Sequence, residues 1–123
     1  MRNQFCLRYL AAFATFSVAS SQAHGTNLID VRTPNEFAMS HLVGSVNIDV
    51  LSADFDLEIS KLDRELSYLL YCKTGGRTAR AIKRMNDLGF LATENLGSLE
   101  EAASKLGLPC ENLAGEPVAC SPH

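Results

Sequence analysis

The residues of this sequence that could carry out chemistry lie in one short stretch, YCKTGGRTAR, at positions 71–80. A cysteine, Cys72, ends an apolar run there, and a pair of glycines and a basic segment follow it. Glycines allow a loop to curl so that successive backbone N–H groups point inward, and a helix N-terminus adds partial positive charge. A thiol in that setting is expected to have a lowered pKa, so the stretch predicts a cysteine nucleophile.

Basic side chains near the cysteine favour the same ionisation. Lys73 lies within the loop. The helix that follows is expected to carry three arginines on one face: Arg77, Arg80 and Arg84. The simplest alternative is that Cys72 is a small buried residue that closes a strand, which is a common use of cysteine. We favour the nucleophile because an apolar strand, a glycine-rich loop and a basic helix follow one another here.

Alternating strands and helices are predicted to position this loop. We predict four strands, at residues 27–32, 45–50, 66–72 and 91–97. Helices alternate with them, one from Pro34 to near Gly44 and others at 53–66, 76–89 and 98–107. This order indicates βαβ units, and hence an α/β fold with a small, mainly parallel sheet of about four or five strands and helices on both faces. Ligand sites of such sheets lie beyond the carboxyl ends of the strands, where Cys72 is placed.

The helix after the loop has the apolar spacing of an amphipathic helix. We expect it to bury four apolar side chains against the sheet: Ala79, Ile82, Met85 and Leu88. Gly89 is expected to end this helix, because glycine readily adopts the left-handed conformation that closes helices.

The first residues have the layout of a secretory signal peptide. Arg2 and Arg8 precede or border an uncharged stretch at 9–23, which ends in the small-residue site Ser21-Gln22-Ala23. This stretch is shorter than the roughly 20 residues that span a bilayer. We therefore predict that residues 1–23 are a signal peptide cleaved after Ala23, and that the mature protein is periplasmic or secreted with no membrane association. The mature chain is predicted to comprise a domain at 24–108 and an irregular tail at 109–123.

The composition limits the partners of the chain. Its 123 residues suit one domain, and its formal net charge is −3 before any loss of the basic N-terminus. Such a chain cannot neutralise a run of phosphates, so we expect no nucleic-acid partner. The histidines, His24, His41 and His123, are too scattered to suggest a metal site, and no cofactor motif is present. We expect no metal and no cofactor, and a monomer or weak oligomer.

Three cysteines would remain in the mature chain: Cys72, Cys110 and Cys120. In an oxidising compartment an odd number favours one disulfide and one free thiol. We favour a disulfide between Cys110 and Cys120 that staples the tail, which would contribute roughly 2–3 kcal/mol on the chain-entropy model. The alternative, in which Cys72 pairs with either of the other two, stays open.

The sequence resembles the single-domain rhodaneses, a family of thiosulfate sulfurtransferases, in three segments that occur in the family's order. The segments are IDVRTPNEF at 29–37, HLVGSVNI at 41–48, and CKTGGRT at 72–78 with MNDLGF and ENLGS after it. An exported chain of this kind resembles the small periplasmic rhodaneses of the phage-shock type. Two positions depart from the family pattern: Asp49 stands where proline is common, and Ser98 where a second glycine is common.

The resemblance implies that Cys72 takes a sulfane sulfur from a small anionic donor such as thiosulfate, holds it as a persulfide, and passes it to a thiophilic acceptor such as cyanide. The loop would bind the substrate and the persulfide through six residues: Lys73, Thr74, Gly75, Gly76, Arg77 and Thr78. The resemblance also places three residues near the loop to brace it, Asp30, Arg32 and Glu36. We expect Asp30 or Glu36 to pair with Arg77, and His41 to make a structural hydrogen bond.

Three other functions stay open. A thiol–disulfide redox protein or a sulfur carrier would also use Cys72, although the sequence has no Cys-x-x-Cys motif. A cysteine-dependent phosphatase would need a loop one residue longer than the four residues between Cys72 and Arg77. An inert binding module of the family usually lacks the cysteine, which this chain retains.

Overall fold

The computed structural model describes residues 27–121. The predicted signal peptide and its cleavage site lie outside this range. The described chain contains four helices: α1 Pro34–Met39, α2 Phe55–Ser60, α3 Gly76–Asp87 and α4 Leu99–Leu106. It contains seven strands: β1 Leu28–Asp30, β2 His41–Leu42, β3 Val46–Asn47, β4 Tyr68–Cys72, β5 Thr93–Ser98, β6 Cys110–Glu111 and β7 Pro117–Val118.

The larger sheet is parallel throughout and has the strand order β3-β1-β4-β5. Strand β1 pairs with β4 so that Asp30 lies opposite Tyr71, one residue before the end of β4. The carboxyl ends of β1 and β4 therefore meet at one edge of the sheet. This confirms the predicted α/β architecture and places Cys72 at the edge where ligand sites of such sheets occur.

Side chains of β4 pack against both faces of the sheet, as the alternation of a strand requires. Leu70 lies in a cluster with residues of α2 and α3, including Phe55 and Met85. Tyr71 lies in a second cluster with residues of α4 and the smaller sheet, including Leu99 and Cys110. A strand that is covered on both faces is held firmly, so the start of the loop after Cys72 has a fixed position.

A second, smaller sheet was not predicted. It is antiparallel, with the order β2-β6-β7, and strands β6 and β7 lie in the segment expected to be an irregular tail. Its first strand corrects the prediction that helix α1 runs to near Gly44. The helix ends at Met39 because Ser40 is extended, and His41 and Leu42 pair instead with Glu111 and Cys110.

Helix α2 is also shorter than predicted. Phe55 and Ile59 are buried as their spacing requires, but the helix stops at Ser60 and Leu66 is 43% exposed. The N–H of Lys61 donates to the carbonyls of Glu58 and Ile59, which tightens and closes the last turn.

The set of side chains that α3 buries differs from the prediction at one alanine. Met85 is buried and Ile82 and Leu88 pack against the core, but Ala79 is exposed and Ala81 is buried in its place. The innermost line of the helix therefore runs through Thr78, Ala81 and Met85, at spacings of three and four. The helix ends before Gly89, whose φ of +100° confirms the predicted glycine stop.

Candidate active site

The loop after β4 wraps around the sulfur of Cys72. Gly75 is the N-cap of α3 and has φ +95°, a left-handed conformation that favours glycine over residues with a side chain. This conformation aims the N–H of Gly75 at Cys72 Sγ, to which it donates at 2.9 Å. The loop thus brings a backbone donor and the N-terminus of a twelve-residue helix to the thiol.

The loop lowers the pKa of the Cys72 thiol. Burial acts to raise this pKa, but the hydroxyl and amide of Thr78 and the amides of Thr74 and Gly75 favour the thiolate and outweigh the burial. The negative charge is therefore stabilised by neutral dipoles of the loop and helix. This is the electrostatic setting that activates a cysteine nucleophile.

Thr78 is fully buried at the inner side of the loop. Its hydroxyl lies near enough to the sulfur to favour the thiolate, yet Oγ1 has no hydrogen-bond partner of ordinary length and angle in residues 27–121. The hydroxyl dipole acts on the charge of the sulfur without a hydrogen bond, because charge–dipole attraction extends beyond hydrogen-bond distance. The Thr78 hydroxyl is thus a buried donor that a group attached to the sulfur could satisfy.

The sulfur is covered in this structure. Cys72 has 0% exposure, whereas the residues next to it in the loop, Lys73, Thr74 and Gly76, are exposed. The sulfur is therefore buried while loop residues that follow it are exposed, so a reagent reaches it only when neighbouring atoms move.

Arg77 and Glu36 form a two-pronged ion pair beside the loop. Arg77 Nη1 and Nη2 donate to Glu36 Oε1 and Oε2 at 2.8 and 3.0 Å. The hydrogen bond from Arg77, against the effect of burial and together with bonds from Thr33, lowers the pKa of Glu36 to about 2. Glu36 also closes a capping box with Thr33 at the start of α1. The pair therefore ties the first turn of α3 to the first turn of α1.

Asp30 does not share this pair. Its carboxylate accepts from Arg32, with Nη2 at 2.7 Å and the Arg32 backbone N–H at 2.9 Å, and both side chains are buried. Arg32 Nη2 also donates to the Ser40 carbonyl at 2.6 Å. Of the two partners expected for Arg77, the structure selects Glu36, while Asp30 and Arg32 join the end of β1 to the end of α1.

The arginines of α3 do not act together at the thiol as their spacing suggested. Arg84 pairs with Asp56 at 2.8 Å, and its guanidinium lies 4.9 Å from the centre of the Phe55 ring. Arg80 is exposed. Arg77 is linked electrostatically to the site, because the ionised Cys72 contributes to raising the pKa of Arg77.

The other two described cysteines form a disulfide, Cys110–Cys120, and Cys72 is free. His41 has a structural position, as expected: it stacks on Phe37, and its Nδ1 lies 2.7 Å from the Phe37 carbonyl oxygen. No group of three or more His, Cys, Asp and Glu side chains within residues 27–121 could hold a metal ion.

One contact to the loop was missed by the sequence analysis. Asn95 of β5 donates from its side-chain amide to the Gly75 carbonyl at 3.1 Å. Asn95 lies in the segment ENLGS, for which the resemblance to the rhodaneses suggested no role at the loop. Its position beside the loop depends on the sheet order, which places β5 next to β4.

The family model of the rhodanese-like domain matches residues 17–105. The chain belongs to the rhodanese-like family. It is 27% identical over 75 residues to thiosulfate sulfurtransferase PspE of Escherichia coli, covering 61% of this chain and 72% of that one. It is 28% identical over 108 residues to the chloroplastic thiosulfate sulfurtransferase 16 of Arabidopsis thaliana, covering 76% and 90% of the two chains.

Solved structures give the same fold. A rhodanese with anions from Escherichia coli superposes with a TM-score of 0.59 and 24% identity, over 71% of this chain and 98% of that one. A full-length protein from Lactobacillus plantarum superposes with a TM-score of 0.60 and 23% identity, over 91% and 97% of the two chains. No helix within residues 27–121 has the length and apolar character that crossing a membrane requires.

Proposed function

We propose that this rhodanese-family protein carries a sulfane sulfur on Cys72, as a persulfide, from a small anionic donor such as thiosulfate to a thiophilic acceptor. The observation that carries the proposal is the cysteine thiol with a lowered pKa, hydrogen-bonded by the loop N–H at the start of α3. The likeness of the chain to two thiosulfate sulfurtransferases supports thiosulfate as the proposed donor.

The first step breaks the S–S bond of the donor. The Cys72 thiolate attacks the outer sulfur of thiosulfate, a new S–S bond forms to Sγ, and sulfite leaves with the electron pair of the broken bond. The product is a Cys72 persulfide with a negative charge on its terminal sulfur. No oxidant or reductant is consumed, because the sulfane sulfur is transferred without a change of its electron count.

The second step regenerates the thiolate. An acceptor such as cyanide attacks the terminal sulfur, and the electron pair of the S–S bond returns to Cys72 Sγ. The acceptor leaves with the sulfur, as thiocyanate when it is cyanide. Because the resting enzyme and the persulfide form alternate, the two substrates react one after the other.

The loop supports both charged forms. The amides of Thr74, Gly75 and Thr78 favour a negative charge on the sulfur of Cys72. The Thr78 hydroxyl, which lacks a hydrogen-bond partner within the described residues 27–121, is available to donate to the terminal sulfur of the persulfide. The Arg77–Glu36 pair holds the helix start in place while the loop opens to admit the donor.

We also propose that the protein is exported by a cleaved signal peptide at residues 1–23. The Cys110–Cys120 disulfide supports this compartment, because structural disulfides persist in oxidising environments. Sequencing the N-terminus of the protein recovered from separated periplasmic and cytoplasmic fractions of a host tests the proposal. A mature chain that begins at His24 is expected, and an uncleaved chain in the cytoplasm would contradict it.

Steady-state kinetics test the reaction itself. Purified protein of residues 24–123 is supplied with thiosulfate and cyanide, and the formation of thiocyanate is measured. In a parallel assay the same protein is supplied with an aryl phosphate, and the release of phosphate is measured. We expect thiocyanate formation with the parallel reciprocal plots of a double-displacement mechanism, and no phosphate release. Phosphate release without thiocyanate would instead support a phosphatase, and intersecting plots would remove the persulfide from the mechanism.

A further inference from the structure

We propose that Asn95 is a positioning residue for the Cys72 loop: its side-chain amide fixes Gly75, whose N–H then stays on the Cys72 sulfur. The inference rests on the proposed use of Cys72 as the reactive thiol. It assigns a role to a strand, β5, that contributes no residue to the predicted site.

A bulge in β5 places Asn95 next to the loop. Leu70 pairs with Asn95 and Cys72 pairs with Ser98, so two steps along β4 match three steps along β5. Two residues of β5, Leu96 and Gly97, therefore lie opposite the single residue Tyr71 of β4, beside the start of the loop. Bulges of this kind redirect side chains near functional sites.

Asn95 itself stabilises this bulge. Gly97 lies within it at φ +90°, and its N–H donates to Asn95 Oδ1 at 2.8 Å. This bond fixes the orientation of the side-chain amide, so that Nδ2 faces the Gly75 carbonyl at 3.1 Å. The Gly97 backbone also lies close to Gly75: a Cβ on Gly75 would be 3.5 Å from the Gly97 Cα.

Gly75 needs such a contact. Its N–H donates to Cys72 Sγ at 2.9 Å, and glycine has more freedom to rotate this N–H away than any other residue. The N-cap of α3 has no side-chain hydrogen bond of its own. The Gly75 carbonyl is held instead by the Ala79 N–H at 3.0 Å and by Asn95. Holding the carbonyl limits the rotation of Gly75 and keeps its N–H directed at the sulfur.

The exposure of Asn95 makes the role testable. Asn95 is an exposed residue, so its removal should cost the fold little. A positioning role predicts a change in the Cys72 pKa, whereas a structural role predicts a change in thermal stability alone. Asn95→Ala removes both hydrogen bonds, and Asn95→Asp keeps an acceptor for Gly97 while it removes the donor to Gly75. Glu94→Ala is the matched control, because Glu94 is exposed on the same strand.

The experiment titrates the thiolate of Cys72 by its ultraviolet absorbance, with the Cys72→Ser protein as the blank, and measures sulfur transfer in the same samples. Work at about 1 M salt screens the charge that Asn95→Asp introduces. We expect both Asn95 variants to raise the pKa of Cys72 by about 0.5 to 1 and to lower kcat/KM by about three- to tenfold, the effect of one hydrogen bond. Glu94→Ala should change neither.

An unchanged pKa in both Asn95 variants would overturn the proposal, and a loss of thermal stability alone would assign Asn95 to the bulge only. A raised pKa supports the positioning role even if no variant, nor the unmodified protein, transfers sulfur. In that case the proposed function fails and the inference about Asn95 stands.

Discussion

Cys72 and Cys110 are both buried, at 0% and 2% exposure, and both lie at an end of a strand. Both also pack in a hydrophobic cluster, but the polar groups at their sulfurs differ. Cys72 receives an N–H bond at the start of α3 and is a free thiol with a lowered pKa. Cys110 packs among apolar side chains and is bonded to Cys120. The comparison shows that burial does not separate a thiol of lowered pKa from a structural cysteine; the dipoles aimed at the sulfur do.

The two sheets that contain these cysteines differ as well, in whether their strand ends form the candidate site. The parallel sheet ends its strands at one edge, where a glycine-rich loop and the start of α3 can surround a ligand. The antiparallel sheet of β2, β6 and β7 has two-residue strands, and a disulfide joins Cys110 of β6 to Cys120 after β7. We therefore assign chemistry to the first region and stability to the second, and substitutions in each should affect one property and spare the other.

The largest expected effect is the loss of sulfur transfer in Cys72→Ser. A serine hydroxyl is not ionised near neutral pH and forms no persulfide, so the rate should fall by at least about a thousandfold. Thiocyanate formation measures the rate, and circular dichroism verifies the fold. A folded Cys72→Ser protein with more than a tenth of the original rate would remove Cys72 from the proposed mechanism.

Removing the disulfide should have the opposite profile. In a Cys110→Ala/Cys120→Ala protein we expect the free energy of unfolding, from urea titration, to fall by about 2–3 kcal/mol because the unfolded chain gains freedom. Sulfur transfer well below the unfolding temperature should stay within about twofold of the original. A large drop in transfer would show that the second region controls the site, and the division between the two regions would not hold.

Acid should weaken the ion pair between Arg77 and Glu36 beside the loop. The pKa of Glu36 is lowered to about 2 from its ordinary 4.5, so the pair with Arg77 stabilises the folded state fully above pH 4.5 and is lost as pH falls towards 2. We expect this loss to be about 1–2 kcal/mol, since partial exposure of both side chains weakens the pair. Urea titrations at a series of pH values measure it. The control is Glu36→Gln, which keeps a capping side chain without the charge; an equal acid loss in both proteins would place its source elsewhere.

Arg77→Lys should have a smaller effect on sulfur transfer than Cys72→Ser. Lysine keeps the charge but cannot make the two parallel bonds to Glu36, so the loop should be held less firmly and kcat/KM should fall by about tenfold. Arg80→Lys is the matched control on the same helix, because Arg80 is exposed, and it should leave kcat/KM unchanged. Equal losses in the two variants would contradict a specific role of the fork to Glu36, because both substitutions keep the positive charge and only Arg77→Lys removes that fork.

The parallel sheet and the loop could be predicted because their signals are local. The apolar run of β4 and the two glycines after Cys72 are consecutive in the chain, and the left-handed Gly75 occupies the turn that they suggested. The smaller sheet could not be predicted from pattern. Its strands have two residues each, too few to show a period, and His41 finds its partner Glu111 far along the chain.

The contacts around the site were predicted only in part. The resemblance suggested two partners for Arg77, Asp30 and Glu36. Arg32 pairs with the carboxylate of Asp30, two residues before it, which leaves Glu36 as the partner of Arg77. The contact of Asn95 depends on a bulge, and the register of two strands cannot be obtained from one sequence without their pairing. The first depends on a local pair whose geometry the residue types alone do not give, and the second depends on how two strands meet.

Intact-mass measurement of the protein with thiosulfate tests the central claim most directly. The protein of residues 24–123 is incubated with thiosulfate, freed of excess donor, and measured before and after cyanide is added. We predict a gain of one sulfur atom, mapped by peptide analysis to the segment containing Cys72, and its complete loss with cyanide. An unchanged mass in a protein whose Cys72 reacts with an alkylating reagent would contradict the persulfide, and with it the use of this loop to hold sulfur.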